Sequence, residues 1–572
     1  MNKNLFVFLT SLSTVLLSPV APIFSEATAV EIEQKPINRL QIIYLAQSKS
    51  YKRAIDLYEK YHTVQGKHDF EILELMAKAI LEQGAKSQDP QNQLLSIYAA
   101  GIAGLASSYE IIDAGINSNN PQTQLATIHL LAQIQDDYID HLLNKAMASD
   151  FLYTRLEAAY MLSARKTKNA TGQVEALMHK LPPQMSYFFP ELFALIGTTE
   201  SISMLRHMIG DRFQPTRIEA ILSAARHGRD DLLPMIRSCA THINIGEQEA
   251  SAAALGFFKD SLSIPRLKKL SVSNTENVQL SALRALYMLG DDQAKQGIIE
   301  KAKLGNLFAI TMLGDIPGTD RDLIQLLTEE DLSIRFNAAT SLLKRKNALA
   351  VPYLKEFLIR DTRDLGFSPV FSPGNSMRAL KVISSVQQQS KQNHYDFAAL
   401  SLSVREGILK DCLELHEEAF LKIAQLIIET RQNDLIPLTV SLLENLKTEK
   451  AVELLKIKSQ TAGAPLIRAY CNLALVRMKE PGPYQELLKQ WIASNKSREL
   501  IEFRPSLAWG SRLTDTPFEL TPQESSSLLI QAYQVLAEKH EEQSIETILD
   551  AMRDGEPKNL PIMAGILLRA MQ

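Results

Sequence analysis

Asp331-Leu332-Ser333-Ile334-Arg335-Phe336-Asn337-Ala338-Ala339, followed eleven residues later by Ala350-Val351-Pro352-Tyr353-Leu354, is the stretch that decides the fold. An Asp that can cap a helix precedes an apolar run of helical period, with Arg335 and a small residue, Ala338, on defined turns. Pro352 then stands where a second helix begins, because the first turn of a helix has no use for the N–H that proline lacks. Two helices joined by a tight turn are what such a segment encodes. Neither helix can bury its apolar face against the other alone.

The same grammar recurs outward from this point. Arg155-Leu156-Glu157-Ala158 and Arg217-Ile218-Glu219-Ala220 repeat the order of Arg, large apolar, polar and Ala, and Ala250-Ser251-Ala252 and Leu280-Ser281-Ala282 fit its last positions. The apolar anchors fall at 125, 156, 218, 250, 280 and 336, with weaker fits at Tyr187 and Phe308, a period of about 30 residues. Pro234, Pro265 and Pro352 lie 15 or 16 residues after anchors, and Pro437 points back in the same way to Leu421. The turns between the paired helices carry Asp or Gly, as in Asp136-Asp137, Asp230-Asp231 and Gly290-Asp291.

On these residues the chain resembles HEAT repeats, in particular the short bacterial kind related to phycobilisome-lyase HEAT-like repeats. The resemblance covers residues 120–360 well and 416–495 less well, where Arg468, Cys471 and Pro483 occupy the corresponding positions. It implies an all-α, right-handed α-solenoid of about ten or more helix pairs with capped ends. It also implies that Arg155, Arg217 and Arg335 pair with acidic groups of the turns or of the next unit, and do not form a free basic ladder. Ala158, Ala220, Ala252, Ala282 and Ala338 are small so that neighbouring helices can approach.

The expected organisation is a signal peptide over 1–29, an N-terminal helical extension or cap over 30–119 and a core repeat array over 120–361. A loop insertion with a helix pair follows over 362–415, then C-terminal repeats with a cap over 416–572. Within the extension, 38–115 reads as looser helix pairs somewhat like tetratricopeptide units. The signal peptide rests on Lys3, an apolar run from Leu5 to Leu17 and small residues at Ala27 and Ala29, after either of which cleavage is expected. The apolar run is too short to span a bilayer, and no later one reaches 18 residues, so no membrane span is expected after cleavage. An exported protein, periplasmic or secreted, of a bacterium is the reading that follows. Two Pro-rich segments, 364–375 and 503–522, break the helical pattern. Inserted loops often lie on the binding face of a repeat array, which makes Phe367, Phe371 and Trp509 candidate partner contacts.

Composition narrows the function classes. Against 65 Asp and Glu stand 61 Lys and Arg, a net charge of −4, so no basic field draws nucleic acid. Cys239, Cys412 and Cys471 allow one disulfide at most and cannot staple a fold of 572 residues. No phosphate loop, dinucleotide fingerprint, nucleophile elbow or His-Glu-x-x-His is present. His416-Glu417 and His540-Glu541 are reminiscent of the di-iron HEAT-like hydroxylases, but two pairs 124 residues apart do not make such a site. No cofactor, metal or catalytic residue is assigned. The expected function is a non-catalytic scaffold or adaptor for protein partners; the alternatives are a metal- or tetrapyrrole-dependent enzyme or chaperone, and a secreted factor that binds a host protein.

Overall fold

The computed structural model describes residues 38–104, 109–131, 137–359, 404–430, 435–505, 518–521, 524–538 and 542–571. Within them the chain is an α-solenoid built of antiparallel helix pairs. Five successive helices of one layer are stopped in the same way. A residue with left-handed backbone follows them at Lys166, Gly197, Gly228, Lys259 and Gly290, each 31 residues after the last. At Lys166, Gly228, Lys259 and Gly290 the next peptide N–H bonds back five residues, for example Asp260 to Leu255 and Asp291 to Leu286. That closure satisfies carbonyls a helix end leaves free and turns the chain sharply into the next helix. Lysine adopts this conformation four times more among the described residues, at Lys49, Lys346, Lys447 and Lys479.

Three second helices start where the prolines predict: Pro234, Pro265 and Pro352 are each the second residue of Leu233–Cys239, Ile264–Leu270 and Val351–Ile359. Pro437 is likewise the second residue of Ile436–Leu446, but that helix packs beside Pro465–Arg477 in the layer of the first helices, and Glu417–Glu429, with Leu421, lies in the other layer. The first three are entered through one turn of 3₁₀ helix.

One helix of each pair contributes to a common layer. Pro90–Ala103, Pro121–Leu131, Leu152–Ala164, Phe189–Ile196, Gln214–Arg226, Ile245–Phe257 and Glu276–Met288 pack side by side in that order. Leu307–Leu313 and Leu332–Lys344 continue it, and Ile436–Leu446, Pro465–Arg477, Glu524–Ala537 and Leu560–Ala570 complete it. Small residues set their spacing. A Cβ added at Gly256 would lie 2.8 Å from the Cα of Ala285, so these two helices touch backbone to backbone. The layer with the closer spacing has the shorter perimeter, and it therefore lines the concave side.

The two ends of the solenoid are not separate caps. Leu560–Ala570 is buried on almost every side, from Pro561 to Ala570, and packs on Pro90–Ala103 and on Phe70–Ala85. The hydrophobic core shows the same closure. One buried cluster runs from Ile42 to Ile111 and from Leu280 to Ala570, and a second from Ile112 to Ala294. They meet at two places: Leu130 packs against both at one junction, and Leu283 and Tyr287 at the other. Two arcs with two junctions make a ring. The thirteen described helices of this layer, at roughly 9 Å spacing, give a perimeter on the order of 120 Å. The physical reason is that an apolar last helix needs a partner on both flanks, and the first helix pairs supply the missing one.

The C-terminal break also differs from a plain loop. Its flanks, Glu502–Pro505 and Phe518–Thr521, pair as two antiparallel strands, with Phe503 opposite Leu520 and Arg504 opposite Glu519. Trp509 lies outside the described residues, as do Phe367, Phe371, the His540-Glu541 pair and the first 37 residues.

Candidate binding surface

The concave face is organised by a polar ladder with the repeat's own period. Gln93, Gln124, Arg155, Arg217 and Gln248 stand at multiples of 31 residues from one another. Four of them donate a hydrogen bond to the carbonyl six residues earlier: Gln93 to Ser87 at 2.7 Å, Gln124 to Ser118 at 2.7 Å, Arg217 to Asp211 at 2.7 Å and Gln248 to His242 at 2.5 Å. Arg468 does the same to Ala462 at 2.6 Å. Three also reach forward into the next repeat. Ser118 and Ser149 donate to the amide oxygens of Gln93 and Gln124, each at 2.6 Å, and Arg217 bonds Glu247. Each such side chain ties the turn before its own helix to the following unit. Arg155 sits in the same register with its Nε buried and without a hydrogen-bond partner, and Arg335 is half-buried on Leu332–Lys344.

Sequence reasoning found the arginines of this ladder and missed the glutamines. A search for an amide or guanidinium donor every 31 residues, whatever its name, finds both.

Between these rungs some concave helices expose a stripe toward the inside of the ring. On Leu152–Ala164 it consists of Tyr153, Glu157, Tyr160 and Ala164, at helical spacings of four, three and four. One and two repeats from Tyr98 at this register come His129 and Tyr160. Tyr98 is 39% exposed, Tyr160 41% and Tyr153 54%. His129 Nε2 lies 3.1 Å from Glu157 on the neighbouring helix.

The next rung of that row is charged. Glu191 accepts from Ser223 at 3.0 Å and Arg226 Nε at 3.0 Å, and its other oxygen lies 2.8 Å from His227. Arg226 also bonds Glu219. Burial pushes the Glu191 carboxyl up, but the bonds and charges of His227 and Arg226 outweigh it and hold it at about 2. A carboxyl depressed in the folded state stabilises above its unfolded value, and that stabilisation is lost as pH falls through the folded value. Stability is therefore expected to drop between about pH 4.5 and 2 by roughly 2 kcal/mol, after allowance for solvent screening. In Glu191→Gln the slope of stability against pH over that window should flatten in parallel urea titrations.

The described residues offer less for catalysis. Burial pushes the thiols of Cys412 and Cys471 up to about 12, and burial with the charge of Glu247 pushes that of Cys239 up to about 11, so all three are held protonated. Cys239, His242 and Glu247 come together as a set, yet both carboxylate oxygens of Glu247 are already engaged by Arg217 and by His242, the latter at 2.7 Å. A groove of about 590 Å³ between Glu417–Glu429 and Glu449–Thr461 is lined by Glu429 and Lys458, which pair at 2.6 Å. Its hydroxyls, Thr430 and Thr461, are bonded to carbonyls of their own helices. His416 precedes the first residue of Glu417–Glu429.

No protein-family model matches the sequence, and no curated protein matches it. Among solved structures, similarity is found to a karyopherin, Kap121p, bound to Ste12p, with 11% identity and a TM-score of 0.27 over 91% of this chain and 63% of that one. UNC-45 from Drosophila melanogaster gives 11% identity and a TM-score of 0.29 over 93% of each chain, and a homology model of the AP-3 complex 12% and 0.30 over 91% and 99%. The chain thus spans less than two thirds of that karyopherin.

Proposed function

We propose that this chain is an exported, non-catalytic scaffold that binds a polypeptide partner on the concave face of its ring. The observation that carries the reading is the row of Tyr98, His129 and Tyr160 at one register of consecutive concave helices, flanked by Tyr153. Tyrosine presents a rigid apolar ring and a hydroxyl at little entropic cost, which suits contact with peptide groups and side chains alike. The even 31-residue spacing matches a partner laid along the face, and the neighbouring Glu191–Arg226 network adds polar partners. The net charge of −4 favours a protein over nucleic acid here. Export rests on the leader-like sequence before Ala29.

The test is affinity capture from the native envelope with the wild type and with Tyr98→Ser/Tyr153→Ser/Tyr160→Ser. At roughly 1–2 kcal/mol for each well-placed tyrosine, the triple variant is expected to weaken binding of the captured partner by about 100-fold or more with an unchanged melting curve. Undiminished binding would remove the concave face from the proposal. N-terminal sequencing of exported protein is expected to begin after Ala27 or Ala29; a start at Met1 would remove the export.

A further inference from the structure

At the seam of the ring, three potential metal ligands come from opposite ends of the sequence. His62 lies on Tyr51–Gln65, which Gly66 ends with left-handed backbone, φ 69°, and so brings His68 back over it. The two imidazoles stack with centroids 4.0 Å apart and planes 7° from parallel. Glu546 arrives on Glu542–Asp554, almost 500 residues later in the chain. The candidate donor atoms of His62, His68 and Glu546 all lie within 4.8 Å of one another.

His68 is the informative member. It is 8% exposed, its Nδ1 lies 3.1 Å from the Tyr58 hydroxyl, and its Nε2 is buried with no hydrogen-bond partner. Leaving such a nitrogen unpaired costs stability unless something fills the position. The Tyr58 hydroxyl already accepts the N–H of Asp69 at 3.1 Å. In the tautomer that carries its proton on Nδ1, that N–H bonds the Tyr58 hydroxyl and the lone pair on Nε2 is free, the second-shell arrangement that orients metal-binding histidines.

We propose that His62, His68 and Glu546 form a site for one borderline divalent transition-metal ion, of which zinc is the reference, and that the ion fastens the last convex helix to the second helix of the chain. Two imidazoles and one carboxylate suit such an ion and leave a coordination position for water. His68 is the fixed ligand; His62 is half-buried and Glu546 exposed, so these two side chains supply the adjustment that unstacks the rings. The site lies beside two ion pairs that also cross the seam, Arg553 with Glu59 and Lys52 with Asp554, the latter at 3.5 Å. It stands independently of the reading of the concave face.

The experiment uses the full chain without a histidine tag, stripped with a chelator and titrated with zinc chloride. One zinc per chain is expected to survive gel filtration and to raise the melting temperature. Glu546→Gln and His62→Gln, both at side chains whose loss leaves the core intact, are each expected to weaken zinc binding at least tenfold and to abolish the thermal shift. Circular dichroism of both variants serves as the folding control. Absence of stoichiometric zinc in the wild type, or retention of wild-type affinity in either variant, overturns the site.

Discussion

Gly565→Leu is expected to open the ring. A Cβ at this position would lie 2.9 Å from the carbonyl carbon of Ala99 and 3.1 Å from its Cα, and these are backbone atoms of the facing helix. Flexible side chains yield to an added group; backbone in a packed layer does not. The helix around it has no exposed side on which to rotate, since Ile562, Met563, Ala564, Ile566, Leu567 and Leu568 are all buried. Overpacking in a core costs about 1–3 kcal/mol, and a direct backbone clash belongs above that range, at ~4 kcal/mol. The seam is the one interface between helices 466 residues apart, so the strain is released there by parting Leu560–Ala570 from Pro90–Ala103. Small-angle scattering is the measurement. The radius of gyration is expected to rise, with Gly565→Ala showing a smaller change. A variant as compact and as stable as the parent would show that Ala99 and Gly565 do not face each other.

The second large effect is expected at Arg217. Its guanidinium takes one oxygen of Glu247 with Nε at 2.8 Å and with Nη2, while Nη1 bonds the carbonyls of Asp211 and Arg212 at 2.7 and 3.1 Å. The Glu247 side chain is only 2% exposed. Burial pushes its carboxyl up, yet the bonds from Arg217 and His242 prevail and hold it below the usual carboxylate range. Arg217→Ala strands that charge and two turn carbonyls together. Removing one member of a buried pair costs about 3–5 kcal/mol, and that is the expected loss in urea unfolding. Lysine is not expected to rescue, because one ammonium cannot serve both the carboxylate and the turn. Arg217→Met with Glu247→Leu, by contrast, is expected to recover most of the loss, as apolar replacements of buried pairs do. A loss below about 1 kcal/mol for Arg217→Ala would mean that the ladder contributes little to joining successive repeats.

Much of this fold was legible because it repeats. Arg217 and Arg335 announced the helix pair, the prolines its second half, and Ala158, Ala220 and Ala282 the close approach within one layer. Matching by residue name hid part of the same pattern, since Gln93 and Gln124 make the carbonyl bond that Arg217 makes. That is why the register runs back to residue 93, into the stretch expected to be an extension. Ring closure had no periodic signature. Still, Leu560–Ala570 is apolar on every face up to Leu568, a pattern that marks an enclosed helix and not the outer face of a cap. The stacked histidines and Glu546 were illegible for a plainer reason: no spacing rule connects residues brought together only by closure. The tyrosines of the concave stripe were visible in the sequence, but their exposure depends on which layer is inside. Attention went instead to the aromatics of the two Pro-rich loops.

Closure changes how such an array comes apart. A linear stack of repeats is approximated by nearest-neighbour terms, and it unravels from whichever extremity is weakest. Here Ala99 leans on Gly565 as firmly as Gly256 leans on Ala285, so there is no extremity. Loss of any single unit must break two interfaces at once before solvent gains a foothold. The barrier to partial unfolding is therefore shared around the whole circle, and Pro90–Ala103 and Leu560–Ala570, far apart in sequence, become as resistant to exchange and proteolysis as the middle of the array.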